Sequence, residues 1–194
     1  FGMEQINEEL NTNYPSIRTA ILNESNYDDY YQIMLGLEEE TIDVIITTSV
    51  LANKIDSDRI GMVGIINLDS VAKIPTYDAN ERAYEMLTYA KECLNSSEDS
   101  LVIQAYSLDE IYLKTFLLND YHAFIKEVLS VRKILKNEPF YYINRIFIKA
   151  KYDLMYKEAN EVKKYLQSML GKEVYVIGPT YNHQHQMVQI IVKH

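Results

Sequence analysis

The chain has 194 residues, is 47% hydrophobic and 24% charged, and carries a formal net charge of -9, which suits one large or two small globular domains and excludes a disordered or fibrous protein. No apolar run approaches the ~20 residues that span a bilayer and the first residues are not typical of a signal peptide, so we expect a cytoplasmic protein with no membrane partner. The single cysteine, Cys93, excludes an internal disulfide and a thiolate zinc site.

The first half of the chain alternates helix and strand patterns. Apolar positions at helical spacing predict a helix from Met3, and a second helix is predicted at Tyr27–Leu37 with Ser25 or Asn26 as its N-cap. A third is predicted at Asp78–Leu94. The predicted strands are Ile17–Asn23, Asp43–Ser49, Gly61–Asp69 and Leu101–Ser107. This alternation predicts a mostly parallel sheet with helices on its faces.

After Ser107 the pattern changes to a compact α+β module. Residues 108–136 contain almost no turn residues and predict one or two helices, which Pro139 should terminate. The remaining predicted elements are a long strand at Phe140–Tyr152, a helix at Tyr152–Leu170 with Gly171 as its C′ residue, and strands at Glu173–Thr180 and Met187–Lys193. We place two domains at 1–110 and 111–194.

One stretch, Gly61–Thr88 or GMVGIINLDSVAKIPTYDANERAYEMLT, joins an apolar run ending in Asn-Leu-Asp to a proline and a helix opened by Asn-Glu-Arg. It resembles the second motor lobe of PriA-type primosomal replication-restart helicases. Other segments match the pattern of that family in order and cover essentially the whole chain. They are Phe1–Leu10, Asp43–Asp56, Leu101–Tyr106, Arg132–Phe140, Ile177–Pro179 and Gln189–Lys193.

The resemblance implies a RecA-like second lobe whose ATP chemistry is degenerate. Where the family has Gln-x-x-Gly-Arg-x-Gly-Arg, this chain has YAKECLNS at Tyr89–Ser96, with Arg82 and Lys91 as the nearest cations. In the segment Asp43–Asp56, the residues Thr47, Asn53 and Lys54 stand where the family has glycines and a lysine. Losing an arginine finger costs ~10³–10⁵ in rate. We therefore predict that this chain alone does not turn over ATP.

No Gly-rich Lys-Ser/Thr loop and no Asp-Glu-x-His box occur in the sequence. ATP, Mg²⁺ and zinc would belong to family segments absent from this chain, so we predict no cofactor here. A metal site at His183 and His185, with His194 or Asp153, is the less favoured reading of that segment. A turn leading into a strand is favoured instead.

The two halves carry opposite charge. Residues 1–110 hold 6 Lys+Arg against 21 Asp+Glu, a net -15, whereas residues 111–194 hold 13 against 7, a net +6. The basic half could attract phosphate, although both halves could equally be solvated surfaces of one fold. In PriA-type proteins the C-terminal domain contributes to binding branched DNA, so the resemblance implies DNA as the partner.

Basic residues interleaved with aromatic ones suit DNA, because cations neutralise phosphate and rings stack on unpaired bases. The predicted DNA-binding residues are Arg132, Lys133, Lys136, Tyr141, Arg145, Lys149 and Lys151. Arg132 and Lys136 should share one helix face near the helix end, where the helix dipole alone would also favour them. We expect Phe140 and Tyr142 to fill the core, on the strand face opposite to Tyr141 and Arg145.

The resemblance, together with the opposite charges of the two halves, implies a non-catalytic DNA-replication-restart component that binds branched or single-stranded DNA, with primosome or helicase-loader proteins as further partners. Because the chain begins at Phe1, we also expect a fragment or a processed product of a longer protein. Two alternatives stay open. One is the C-terminal part of an active ATP-dependent DNA helicase, and the other is a protein–protein adaptor that acts through the acidic half.

Overall fold

A computed structural model describes residues 2–52, 54–55, 58–183 and 185–194. Phe1, Asn53 and Asp56, which belong to the motifs above, lie outside the described residues, as does the side chain of Asp153. The chain divides into two compact units, Phe1–Phe124 and Ile125–His194. The domain ranges of 1–110 and 111–194 stay a prediction. Within the described part of the chain, no helix has both the length and the apolar character needed to cross a membrane.

The elements follow the predicted order. The helices are α1 Met3–Asn13, α2 Tyr30–Glu38, α3 Ser49–Ala52, α4 Asp69–Ala72, α5 Ala79–Glu92, α6 Ile111–Leu117, α7 Tyr121–Ile134 and α8 Tyr152–Met169. The strands are β1 Thr19–Leu22, β2 Val44–Thr47, β3 Met62–Ile65, β4 Ser100–Ile103, β5 Ile143–Ile148, β6 Tyr175–Asn182 and β7 Met187–Lys193. The mixed α/β class is therefore confirmed.

Parallel pairing in the first unit is also confirmed, but with a smaller extent. β1 pairs with β2 from Thr19↔Val44, and β3 pairs with β4 from Met62↔Ser100, both in parallel. Among the described residues these are two separate two-stranded ladders rather than the one sheet predicted. Each strand has only four residues, because polar and turn residues soon follow each apolar run.

Helix α5 shows why the family-like stretch folds as it does. Its buried positions, Ala79, Ala83, Leu87 and Ala90, recur every three or four residues and form one apolar stripe. Charged residues lie outside this stripe, among them Arg82, whose Nε lies 2.8 Å from Oδ2 of Asp78. The stripe is made mostly of alanine, so neighbouring elements can approach the helix closely.

The predicted N-cap at Ser25 or Asn26 is wrong. Asn23 caps a 3₁₀ turn at Glu24–Asp29, and its side-chain Oδ1 accepts hydrogen bonds from the backbone N–H groups of Ser25 and Asn26. The Asn26 side chain in turn accepts from the Asn23 N–H at 2.7 Å, which completes a reciprocal capping box. The 3₁₀ turn therefore starts several residues before the predicted helix, and α2 continues from it.

The second unit is an antiparallel sheet backed by one helix. The strand order is β5-β7-β6, and α8 packs on one face through Met155 and Ala159 against Val188, Ile190 and Val192. Along β7 these buried residues alternate with half-buried ones, as a strand with one covered face requires. This antiparallel sheet with one helix is in keeping with the α+β pattern predicted for residues 111–194.

Two details of the second unit differ from the prediction. The strand predicted at Phe140–Tyr152 is shorter, since a turn occupies the residues before Tyr142. Gly171 does not take the left-handed conformation of a C′ glycine, because α8 ends on Leu170 in an extended conformation with φ -94 and ψ 147. The glycine with positive φ is Gly178, at φ 106, where β6 shifts register between Ile177 and Thr180.

Candidate nucleic-acid interface

The end of α7 carries the first three predicted DNA-binding residues, and the structure gives them different surroundings. Arg132 is half-buried, and its Nη1 donates a hydrogen bond of 3.0 Å to the Glu138 carbonyl oxygen. Lys133 is exposed. The predicted helix face shared by Arg132 and Lys136 is wrong, because α7 ends at Ile134 and Lys136 has a left-handed φ of 55.

Lys136 and Tyr141 both meet Tyr175 of β6. The Lys136 Nζ lies 3.2 Å from the centroid of the Tyr175 ring, a cation–π contact, and the Tyr141 ring meets Tyr175 edge-on at 6.3 Å. Both side chains are half-buried. These contacts give the two residues a role in the fold of the turn, whether or not DNA is present.

Lys193 fixes the same turn from the last strand. Its Nζ donates hydrogen bonds to the Leu135 carbonyl oxygen at 2.9 Å and to Oδ1 of Asn137 at 2.7 Å. Asn137 is buried, and burial lowers the pKa of Lys193 from its ordinary 10.5. The sequence pattern predicts Lys193 only as part of a closing motif and does not indicate this contact, because the two residues are 56 positions apart.

The other predicted residues lie along β5 and beyond it. Arg145 is exposed in the middle of the strand, on the face away from α8. Lys149 and Lys151 are exposed after its end, and Lys151 is the N-cap residue of α8. Because a strand rises about 3.4 Å per residue, the six residues of β5 span roughly 17–20 Å. The structure therefore brings Lys136 and Tyr141 together and places Lys149 and Lys151 at the opposite end of the strand.

The prediction that Phe140 and Tyr142 fill the core is wrong. Phe140 is 44% exposed and Tyr142 is 75% exposed. The prediction assumed that the strand begins at Phe140, whereas Phe140 lies in a turn and strand pairing begins with the backbone hydrogen bonds between Tyr142 and His194. Phe147, which is not among the residues predicted from the sequence, is 39% exposed on the face of β5 away from α8. Strict alternation with Ile146 and Ile148 could have identified it.

His183 and His185 lie in the turn between β6 and β7 and not on a strand face. The His183 ring meets Tyr181 edge-on at 5.0 Å, and the His185 ring meets Phe147 at 4.7 Å. In the described residues, no group of three His, Cys, Asp or Glu side chains comes together as a metal site would need. Both histidines thus have aromatic partners in the fold.

In the first unit, the family-like Asn-Leu-Asp segment holds the ends of two strands. Asp69 is buried, and its Oδ2 accepts a hydrogen bond of 2.7 Å from the Tyr106 backbone N–H. Burial, with the Asp69 charge nearby, raises the pKa of Tyr112 to about 12. The Asn67 N–H donates to Oε1 of Gln104 at 3.2 Å. These matched residues therefore stabilise the connection that follows β3 and β4.

The cations nearest to the replaced arginine motif face other partners. The Lys91 Nζ lies 5.8 Å from the centroid of the Phe116 ring, and Arg82 is paired with Asp78. Cys93 is half-buried, with its Sγ 3.9 Å from the Ile55 carbonyl oxygen. The segment Tyr89–Ser96 at the end of α5 thus presents a cation–π contact and a thiol, and its sequence contains no arginine.

Comparison with known proteins finds several similar curated proteins but no family model that matches the chain. Curated relatives named replication restart protein PriA match it at 21% identity in Bacillus subtilis, 24% in Thermotoga maritima and 24% in Borreliella burgdorferi. The matches cover 92%, 92% and 93% of this chain but only 23%, 24% and 28% of the respective relatives, so the chain spans about a quarter of their length. The chain is thus similar to PriA replication restart proteins over nearly its whole length, which confirms the resemblance seen in its motifs.

Proposed function

We propose that this chain is a replication-restart component whose C-terminal part binds branched or single-stranded DNA. The observation that carries the proposal is the basic surface of the second unit. Residues 125–194 hold 12 Lys+Arg against 6 Asp+Glu, and none of the three strands contains a carboxylate. Such a surface neutralises phosphate, and the similarity to replication restart proteins supports DNA as the polyanion.

The exposed residues are the strongest candidates for phosphate contact. Lys133, Arg145, Lys149 and Lys151 present their charges to solvent, whereas Arg132 and Lys136 are engaged in the fold. Tyr141 is half-buried and its ring meets Tyr175, so it remains in the proposed set only as a partly accessible contact. The full predicted set thus divides into residues that face solvent and residues that shape the turn beside them.

For residues 1–110 we propose a degenerate RecA-like lobe that does not catalyse ATP hydrolysis in this chain alone. Parallel strand pairs followed by helices are in keeping with such a lobe. The triphosphate in motor proteins needs a phosphate loop and an arginine, and neither motif occurs in the sequence. The acidic charge of this part suits protein partners, such as other primosome proteins in the cytoplasm, better than DNA.

A binding panel tests the proposal. The full chain is titrated against a labelled fork, a single strand and a blunt duplex of equal nucleotide number, and phosphate release from ATP is measured with each. We expect binding to fork and single strand without turnover. Turnover that survives further purification would identify an active helicase part. Failure to bind any of the three DNAs would favour the adaptor alternative.

A further inference from the structure

The sheet of the second unit has one face covered by α8 and one face that remains partly exposed. Strand register places residues of the exposed side in rows, with Arg145 opposite Ile191 and Ile191 opposite Ile177, and with Phe147 opposite Gln189. We call this side the open face. It consists of Arg145 and Phe147 of β5, Tyr175 and Ile177 of β6, and Gln189 and Ile191 of β7.

The two ends of the open face differ in what lies over them. At one end Lys136 sits over the Tyr175 ring, so that ring is already engaged. Towards the other end Ile177 is 46% exposed, Phe147 is 39% exposed, and Arg145 is exposed. The His185 ring touches Phe147 edge-on, and the Asn182 amide donates to Oε1 of the adjacent Gln189 at 3.1 Å. An aromatic ring, a guanidinium and two amides are therefore gathered on one accessible surface.

The charge of the open face indicates which class of molecule binds it. Single-stranded nucleic acid is bound by aromatic rings that stack on its bases and by cations that neutralise its phosphates, and the open face combines Phe147 with Arg145. The strands carry Arg145 and Lys193 and no Asp or Glu. Lys149 follows Phe147 by two residues and is exposed. A base stacked on Phe147 would thus have its phosphates between Arg145 and Lys149.

We propose that the open face is a platform for single-stranded DNA, with Phe147 stacking on an unpaired base and Ile177 supplying apolar contact beside it. The inference rests on the proposed function and deepens it. Aromatic stacking requires a base outside a duplex, because the faces of paired bases are covered by their neighbours. The open face therefore favours single strands and forks over blunt duplex. A blunt duplex is bound only by the basic side chains, through its phosphates.

The absence of tryptophan in the sequence gives a direct probe. A Phe147→Trp variant of the full chain carries one tryptophan, whose fluorescence a stacked base quenches. The matched control is Phe140→Trp, because Phe140 has similar exposure, 44% against 39%, but lies in the turn before β5. We expect an oligo(dT) strand to quench the fluorescence of the Phe147→Trp variant and not that of the Phe140→Trp variant. A blunt duplex should quench neither.

Affinity measurements complete the test. Phe147→Leu keeps an apolar side chain on the sheet while removing the ring, and it should weaken oligo(dT) binding roughly 5- to 150-fold, as loss of one stacked base does. Phe147→Tyr should restore it, and duplex binding should not change. Two results together would overturn the platform while the wild type still binds DNA. They are equal oligo(dT) affinity of Phe147→Leu and unquenched fluorescence of Phe147→Trp. The proposed function would then stand without the platform. If the wild type binds no DNA, both fail.

Discussion

Lys193 and Asn137 are joined by a hydrogen bond of 2.7 Å between the lysine Nζ and the amide Oδ1. The same Nζ donates to the Leu135 carbonyl oxygen, so the last strand holds the turn that follows α7. Three of the predicted DNA-binding residues lie in or next to this turn. An ordered turn therefore holds Lys133, Lys136 and Tyr141 in a fixed arrangement.

Lys193→Met should lower the free energy of unfolding by about 1–3 kcal/mol, since it leaves the buried Asn137 amide oxygen without its charged donor. The matched control is Lys172→Met, which changes an exposed lysine of the same unit. Urea unfolding followed by circular dichroism measures both. Equal stability of the two variants would show that the contact contributes nothing.

Gly178→Ala should destabilise the second unit. A Cβ there would lie 2.8 Å from the Gln189 carbonyl oxygen, and the φ of 106 is unfavourable for any residue with a side chain. We expect a loss of about 1–3 kcal/mol. Gly171→Ala is the control, because a Cβ at Gly171 meets nothing within 4 Å. Thermal unfolding should separate the two variants clearly, and a melting temperature unchanged in Gly178→Ala contradicts the bulge geometry.

The Arg18–Asp43 pair should make the first unit sensitive to acid. The Arg18 Nη2 donates to Oδ1 of Asp43 at 2.6 Å, and the hydrogen bonds from Arg18 lower the pKa of Asp43 from 3.8 to about 2. A carboxyl group with a lower pKa in the folded state stabilises while ionised. Its contribution is thus present above about pH 4 and is lost as the pH falls towards about 2.

Asp43→Asn removes this proton uptake, so its stability should fall less between about pH 4 and about pH 2 than that of the wild type. Unfolding curves at several pH values measure the slopes, and Asp109→Asn, which alters another exposed carboxylate, serves as the control. Parallel curves for the wild type and Asp43→Asn would mean that the pair does not control acid stability.

Elements whose apolar residues recur at regular helix or strand spacing were predictable from the sequence. Helix α5 was expected at Asp78–Leu94 and lies at Ala79–Glu92, because its buried alanines and Leu87 keep helical spacing. Strand β7 was expected at its observed bounds, since Val188, Ile190 and Val192 alternate with outward residues. The resemblance to PriA-type proteins was likewise visible in short motifs, whose order carried more information than any one of them.

Features that depend on distant residues were not predictable. The sequence predicts a helix that continues to Lys136, but α7 ends at Ile134, so Lys136 does not share a helix face with Arg132. Phe140 and Tyr142 were assigned to the core by extending β5 through a turn. The Lys193 contact joins positions far apart in sequence, and the exposure of Phe147 depends on which face of the sheet α8 covers.

The central claim, that the basic second unit binds DNA through phosphate, is tested most directly by the salt dependence of fork binding. The full chain is compared with Lys149→Glu combined with Lys151→Glu, two exposed positions outside strand pairing. We expect the affinity of the wild type to fall linearly on a log–log plot of salt. The double variant should bind more weakly to every DNA, with a slope flatter by about two, one for each lost phosphate contact. A folded double variant with unchanged affinity and slope would contradict the account.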